Sequence, residues 1–127
     1  MDELEKGLAS RSLLVAVSEG SVVGFAMAKE LDENFHLTVM AVHPEHGQRG
    51  FGRQLVLAVI DEARQRQHPA VTLTTFGDLP WNGPFYRGAG FHVLSDEALS
   101  PALRRILAQE QRLGMVNRVA MRCAVAG

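Results

Sequence analysis

The sequence has one cysteine, one tryptophan and one tyrosine among its 127 residues. A lone Cys123 excludes an internal disulfide and any multi-cysteine metal site, which fits a reducing compartment. Net charge is nearly absent as well: 13 Lys and Arg against 14 Asp and Glu leave −1, so no overall field favours nucleic acid or an anionic membrane. No apolar run approaches the roughly 20 residues that span a bilayer. The start, Met1 to Gly7, is acidic and lacks the apolar stretch of a signal peptide. These absences predict a cytoplasmic protein with neither a nucleic-acid nor a membrane partner.

Apolar residues make up 46% and charged ones 21%, the composition of a chain that folds around a core. The length suits a single domain over residues 1–127, and no fixed-period repeat points to a solenoid. Ser12 to Val17 and Val22 to Glu30 read as a hairpin across Glu19-Gly20-Ser21. After the polar break Asp32-Glu33-Asn34, Phe35 to Val42 reads as a mostly buried strand that ends in a loop at Pro44. From Gly52 to Gln67, Leu55, Val56, Val59, Ile60 and Ala63 recur at spacings of three and four, which predicts an amphipathic helix. Val71 to Phe76 is rich in threonine and valine and reads as a strand. A short helix from Asn82 or Gly83 to Arg87, a strand at Phe91 to Leu94, a helix opened by Ser100-Pro101 and a last strand at Val116 to Val125 complete the order. Strands come first, then helices alternate with strands, so the fold class is α/β in the α+β sense: a mixed sheet with helices on its faces. Cys123 falls on the terminal strand as a small core residue.

The segment between the third strand and the first helix carries the chemistry. It reads Val42-His43-Pro44-Glu45-His46-Gly47-Gln48-Arg49-Gly50-Phe51-Gly52-Arg53-Gln54-Leu55. Glycines let the backbone approach a ligand, and the free N–H groups of a helix's first turn hold anions, so the segment suits a pyrophosphate. A nucleoside-triphosphate loop needs Lys-Ser or Lys-Thr where Arg53-Gln54 stands. A dinucleotide fingerprint needs a small residue at Leu55 and an acidic one ending the next strand, which ends in Thr75-Phe76. Both fail on named residues. His43 and His46 flank Pro44 without further ligands at metal spacing, so no metal is assigned.

The same segment resembles motif A of the GCN5-related N-acetyltransferases, the GNAT superfamily, in which Val-His-Pro-Glu leads into Gln/Arg-x-x-Gly-x-Gly/Ala and a helix. Gly50 and Gly52 take the two glycine positions, while Gly47-Gln48 inverts the usual Gln-Gly order. Downstream, Asn82-Gly83-Pro84-Phe85-Tyr86-Arg87-Gly88-Ala89-Gly90-Phe91 is similar to the family's Asn-x-x-Phe-Tyr-x-x-x-Gly-Phe segment. The resemblance covers about Ser12 to Val125 and is densest from Val39 to Leu94. It implies the GNAT fold and transfer of an acetyl group from acetyl-CoA, the cosubstrate, to an amine of a small molecule or peptide by direct attack in a ternary complex. It implies that the backbone of Gln48, Arg49, Gly50, Phe51, Gly52 and Arg53 holds the pyrophosphate. It also implies that Met40, Ala41 and Val42 pair with the pantetheine amides like an added strand, with Asn82 and Phe85 along the same arm.

The resemblance places Tyr86 beside the thioester sulfur. A phenol with a pKa near 10 cannot fully protonate a solvated thiolate of pKa near 8.5 without a cost of about 2 kcal/mol, so the role expected of Tyr86 is a hydrogen bond at the transition state, as general acid. The acceptor also needs a base, because an amine of pKa near 10.4 is neutral in only about one molecule in 2,500 at pH 7. Many relatives carry a glutamate on the strand before the loop, whereas here that stretch reads His36-Leu37-Thr38-Val39-Met40-Ala41. The candidates are His36, Asp78, or a water chain held by Thr38 and backbone groups. The missing glutamate also motivates a reading as a non-catalytic sensor or structural domain that binds acetyl-CoA.

Asp78-Leu79-Pro80-Trp81 is expected to line the acceptor side, with Trp81 as a lid or as plain packing. Between the last two strands, Asp96, Glu97, Arg104, Arg105 and Glu110 read as a solvated helix face. Finally, family members place a strand and helices before the hairpin, while only Met1 to Arg11 precede it here. The expectation is an N-terminally shortened fold whose exposed strand edge is covered by a homodimer, or else a chain start placed too late.

Overall fold

Two tight polar turns shape the N-terminal half. In the computed structural model, which describes residues 11–46, 50–78 and 82–125, β1 (Arg11–Ser18) and β2 (Ser21–Leu31) pair antiparallel from Arg11↔Lys29 to Ser18↔Ser21. Between them Glu19 and Gly20 lie at φ of 53° and 82°. Two successive left-handed residues make a primed turn, whose twist matches that of the strands it joins. Asp32 and Glu33 repeat the device at φ of 54° and 69° and lead into β3 (Asn34–Val42), antiparallel to β2.

The chain then runs through α1 (Phe51–Gln65), β4 (Ala70–Phe76), α2 (Asn82–Gly88), β5 (His92–Val93), α3 (Pro101–Arg112) and β6 (Arg118–Ala124). The six strands form one mixed sheet in the order β1-β2-β3-β4-β6-β5, in which only the β3–β4 contact is parallel. The expected architecture is therefore present. β5 is shorter than the expected Phe91 to Leu94, because Phe91 is buried in the core and its N–H bonds back to the Tyr86 carbonyl at 3.0 Å, closing the end of α2.

One core forms between α1 and the sheet. Leu55, Val56, Val59, Ile60 and Ala63 are the buried face of α1, as their spacing requires, and they cluster with Phe35, Leu37, Val71, Leu73 and Met121 from the strands. Burying each large apolar side chain contributes about 1.5–3 kcal/mol. Cys123 belongs to the same cluster, and burial raises its thiol pKa, as suits a packing role. α3 lies on the path from β5 to β6 and is capped as expected: Pro101 opens it, and Ser100 Oγ accepts the Leu103 N–H at 3.1 Å. The Ser100 hydroxyl also donates to the Asp32 carboxylate, which ties α3 to the β2–β3 turn. Among the described residues no helix is long and apolar enough to cross a membrane.

β3 departs from the expectation of a mostly buried strand. Phe35, His36 and Leu37 are buried, but Thr38, Val39 and Ala41 are exposed. The reason is that β4 covers only its first part.

Candidate active site

The β3–β4 ladder consists of two pairs, Phe35↔Val71 and His36↔Thr72. Beyond them, Leu37 to Met40 on β3 and Leu73 and Thr74 on β4 line opposite walls of a cleft of ≈ 270 Å³, completed by Tyr86 and Arg118. β3 stays bonded to β2 on its other side as far as Gly24↔Val42, and the His43 N–H reaches the Val23 carbonyl at 2.7 Å. The edge of β3 that carries Met40, Ala41 and Val42 has no strand partner across the cleft among the described residues. Such an edge offers amide groups to an extended ligand.

At the end of β3 stands the start of α1. Gly50 is its N-cap at φ 81° and ψ 7°, and its carbonyl accepts the Gln54 N–H at 3.0 Å. Gly50 itself offers no side-chain cap, and the N-terminal N–H dipoles of the first turn of α1 form an end suited to an anion. Phe85 of α2 closes over this turn: a Cβ at Gly52 would lie 3.6 Å from Phe85 Cζ and 3.8 Å from Val42 Cγ2. Met40, Ala41, Val42, Gly50, Phe51, Gly52, Arg53 and Phe85 thus gather along one line, from cleft to helix end. Asn82 opens α2. Gln48 and Arg49 lie outside the described residues, as do Gly47, Leu79, Pro80 and Trp81.

Tyr86 sits on the cleft wall, edge-on to Phe85 at 5.1 Å and to Phe91 at 5.8 Å between ring centroids. Burial pushes its phenol above the usual value and the positive charge of Arg118 pulls it part of the way back. The hydroxyl is therefore fully protonated at neutral pH and faces a cation within the same cleft.

The two candidate bases have different surroundings. His36 is buried, is not among the cleft-lining residues, and shares a hydrogen bond of 2.8 Å between its Nδ1 and Thr72 Oγ1. Burial above all, with Lys29 adding, pushes its pKa down to about 4, against the opposite pull of Glu110 and Asp32. Asp78 is exposed just beyond β4 and accepts a hydrogen bond from Asn117 Nδ2 at 3.0 Å. Thr38 donates to the Met27 carbonyl at 3.0 Å. In the loop, the Glu45 N–H bonds to His43 Nδ1 at 3.2 Å. Among the described residues no group of three or more His, Cys, Asp and Glu is placed to hold a metal ion.

One cluster was hidden in the sequence. Glu110, read as part of a solvated helix face, is largely enclosed: its Oε2 accepts from Thr74 Oγ1 at 2.7 Å and its Oε1 from Arg118 Nε at 3.0 Å. Arg118 Nη2 donates to Thr74 Oγ1 and to the Thr74 carbonyl at 3.2 and 3.3 Å, and its guanidinium lies 4.5 Å from the centre of the Phe76 ring. The only hint in the sequence was the alternation of threonines at 72 and 74 with apolar residues, which puts polar groups on the sheet face away from α1.

Known proteins share this fold. The sequence profile of the Acetyltransferase (GNAT) family matches residues 1–91. The mycothiol acetyltransferase of Stackebrandtia nassauensis is 32% identical over 68 residues, which cover 54% of this chain and 22% of that protein's length. Among solved structures, the PaiA N-acetyltransferase of Thermoplasma acidophilum in complex with coenzyme A aligns with a TM-score of 0.71 at 15% identity, over 94% of this chain and 64% of the other. A Bacillus subtilis acetyltransferase in complex with CoA aligns with a TM-score of 0.72 at 16% identity, over 98% and 84%. These structures share the fold, and the profile match spans most of the cleft and the whole of the loop and of α1 and α2: the chain belongs to the GNAT acetyltransferase family.

Proposed function

We propose that the chain is an N-acetyltransferase that uses acetyl-CoA to acetylate a primary amine of a small molecule or peptide in a ternary complex. The observation that carries this reading is the parting of β3 from β4 after His36↔Thr72, with Tyr86 on the wall of the resulting cleft and the glycine-led start of α1 at the end of β3. A free strand edge continuous with an anion-binding helix end fits an amide-bearing arm that finishes in a pyrophosphate. Met40, Ala41 and Val42 would hold the arm, with Asn82 and Phe85 beside it. Gly50, Phe51, Gly52 and Arg53 would hold the phosphates, together with Gln48 and Arg49.

Acetyl-CoA, when bound, supplies an activated acetyl thioester: the amine nitrogen forms the new C–N bond, the C–S bond breaks, and the sulfur leaves with the bonding pair. Tyr86 donates a hydrogen bond to that sulfur at the transition state. Arg118, on the same wall, offsets part of the loss of acidity that burial imposes on the phenol. The proton lost from the amine goes to Asp78, which has the solvent access that buried His36 lacks, or through water held near Thr38. The departing thiolate, held by that hydrogen bond, takes its proton from solvent. The same reading places the enzyme in the cytoplasm. It also sets a second copy against the outer edge of β1, where Val15 and Val17 are exposed and no strand follows among the described residues; light scattering tests this.

The decisive experiment is calorimetry with acetyl-CoA followed by a thiol-release assay over a panel of amines. Binding with amine-stimulated release of CoA is the expected result. Binding without stimulated release on any amine would identify a sensor domain instead, and absence of binding would end both readings.

A further inference from the structure

A second cavity, of ≈ 550 Å³, opens between α3 and the start of β6. Leu107, Met115 and Val116 give it apolar walls, and its charged lining consists of Arg104 and Arg118, with no Asp or Glu among the described residues. Arg118 lines this cavity and the cleft beside Tyr86 alike, so the two spaces share a wall. Asn117, another lining residue, holds the carboxylate of Asp78. The cavity therefore meets the Tyr86 cleft at Arg118 and the Asp78 carboxylate by way of Asn117.

The guanidinium of Arg118 is fixed in place. Its Nε and Nη2 bond to Glu110 and Thr74, and Phe76 stacks beneath it, while Nη1 makes no hydrogen bond among the described residues. A planar cation anchored on one side, with donors left over on the other and an apolar space beside it, is the arrangement that recognises a carboxylate on a partly apolar body.

We propose that this cavity seats the acceptor and that Arg118 holds the acceptor's carboxylate, so the substrate is a small amino-carboxylate with an apolar side chain. This inference rests on the acetyltransferase reading. The apolar body lies along Leu107, Met115 and Val116, and the amine turns toward Asp78 and the cleft. Arg104, whose guanidinium also donates to the Asp96 carbonyl, adds positive potential at the rim.

The test uses matched amines that differ by a carboxylate: L-leucine against isopentylamine, and L-phenylalanine against phenethylamine, with kcat/KM measured for each. The expected preference for the carboxylate member is at least about tenfold, the size of one hydrogen bond between charged groups. Arg118→Gln should bring that ratio close to one, and Arg118→Lys should restore part of it. A ratio near one in the unaltered protein overturns the inference, as does an unchanged ratio in Arg118→Gln or no turnover of either member of any pair. Should Arg118→Gln fail to fold, Ala108→Trp blocks the cavity from the exposed face of α3 without touching the Glu110 pair. It should raise KM for the amino acids severalfold, and an unchanged KM overturns the placement. Calorimetry with acetyl-CoA separates the two levels: binding without a carboxylate preference removes only this inference, whereas no binding removes the acetyltransferase reading itself.

Discussion

His36 Nδ1 lies 2.8 Å from Thr72 Oγ1, and these two residues form the last pair of the β3–β4 ladder before the strands part. The imidazole of this last pair is thus neutral at physiological pH, its pKa lowered from 6.5 to about 4, chiefly by burial. The sign of the pH effect follows. The unfolded chain binds this proton below pH 6.5 and the folded chain only near pH 4, so the stabilising contribution is complete above 6.5 and is lost as pH falls through that window. The slope approaches about 1.4 kcal/mol per pH unit. Urea unfolding between pH 7 and pH 4.5 should show the parent losing stability faster than His36→Gln. Parallel profiles would mean that His36 is protonated in the fold at little cost.

Tyr86→Phe removes the hydroxyl and keeps the ring that packs against Phe85 and Phe91. The fold and acetyl-CoA affinity should stay, while kcat falls by about 10²- to 10⁴-fold, the usual contribution of a positioned acid. Single-turnover kinetics with acetyl-CoA prebound reads the chemical step directly. An undiminished step would remove the acid role from Tyr86.

These two residues mark where the sequence was legible and where it was not. Leu55 to Ala63 announce α1 through spacing alone, and Ser100-Pro101 announces the start of α3, because both signals are local. Tyr86 was found because its neighbours match a known segment. The parting of β3 from β4 left no such trace: Thr38 and Val39 resemble any strand residues, and only the direction taken by β4, set by packing far along the chain, exposes them. Glu110 was misread for the same reason. Its partner Thr74 is 36 positions away, and a glutamate on an amphipathic helix looks solvated until the sheet beneath it is known.

Gly50 holds φ 81° where a Cβ would meet nothing within 4 Å. The cost of replacing it is therefore conformational and not steric. Gly50→Val should destabilise by about 1–2 kcal/mol, the usual penalty for a left-handed β-branched residue, whereas Gly50→Asn should cost less. Because this residue sets the direction of the first N–H groups of α1, acetyl-CoA affinity should fall in the same order. Thermal melting and calorimetry on the two variants check both rankings. Equal affinities would separate the anion site from the Gly50 turn.

Ser100 serves two elements, accepting from the Leu103 N–H and donating to Asp32 in the β2–β3 turn. Ser100→Ala should cost about 0.5–2 kcal/mol as a lost cap. Ser100→Asp tests the partner, because it keeps an acceptor for Leu103 and sets a second carboxylate against Asp32. It should therefore be less stable than a cap of equal quality elsewhere, and the deficit should shrink as added salt screens the two like charges. Melting temperatures of the two variants, each referred to the parent at the same salt concentration, give the comparison.

Glu110 and Arg118 form the remaining test, since their side chains are only 17% and 16% exposed and both also engage Thr74. Removing one partner leaves the other charge poorly solvated, so Glu110→Ala should cost about 2–3 kcal/mol, more than an exposed ion pair is worth. Removing both should cost less than the two single changes together, because the orphaned charge disappears. A double-mutant cycle with Glu110→Ala and Arg118→Ala, read by urea unfolding, measures that coupling. It also bears on the cleft. Without Glu110 the guanidinium loses its anchor on Nε, so its pull on the Tyr86 phenol weakens and the alkaline limb of the tyrosine absorbance titration should move upward in Glu110→Ala. An additive cycle together with an unmoved tyrosine titration would show that Arg118 keeps its place without Glu110.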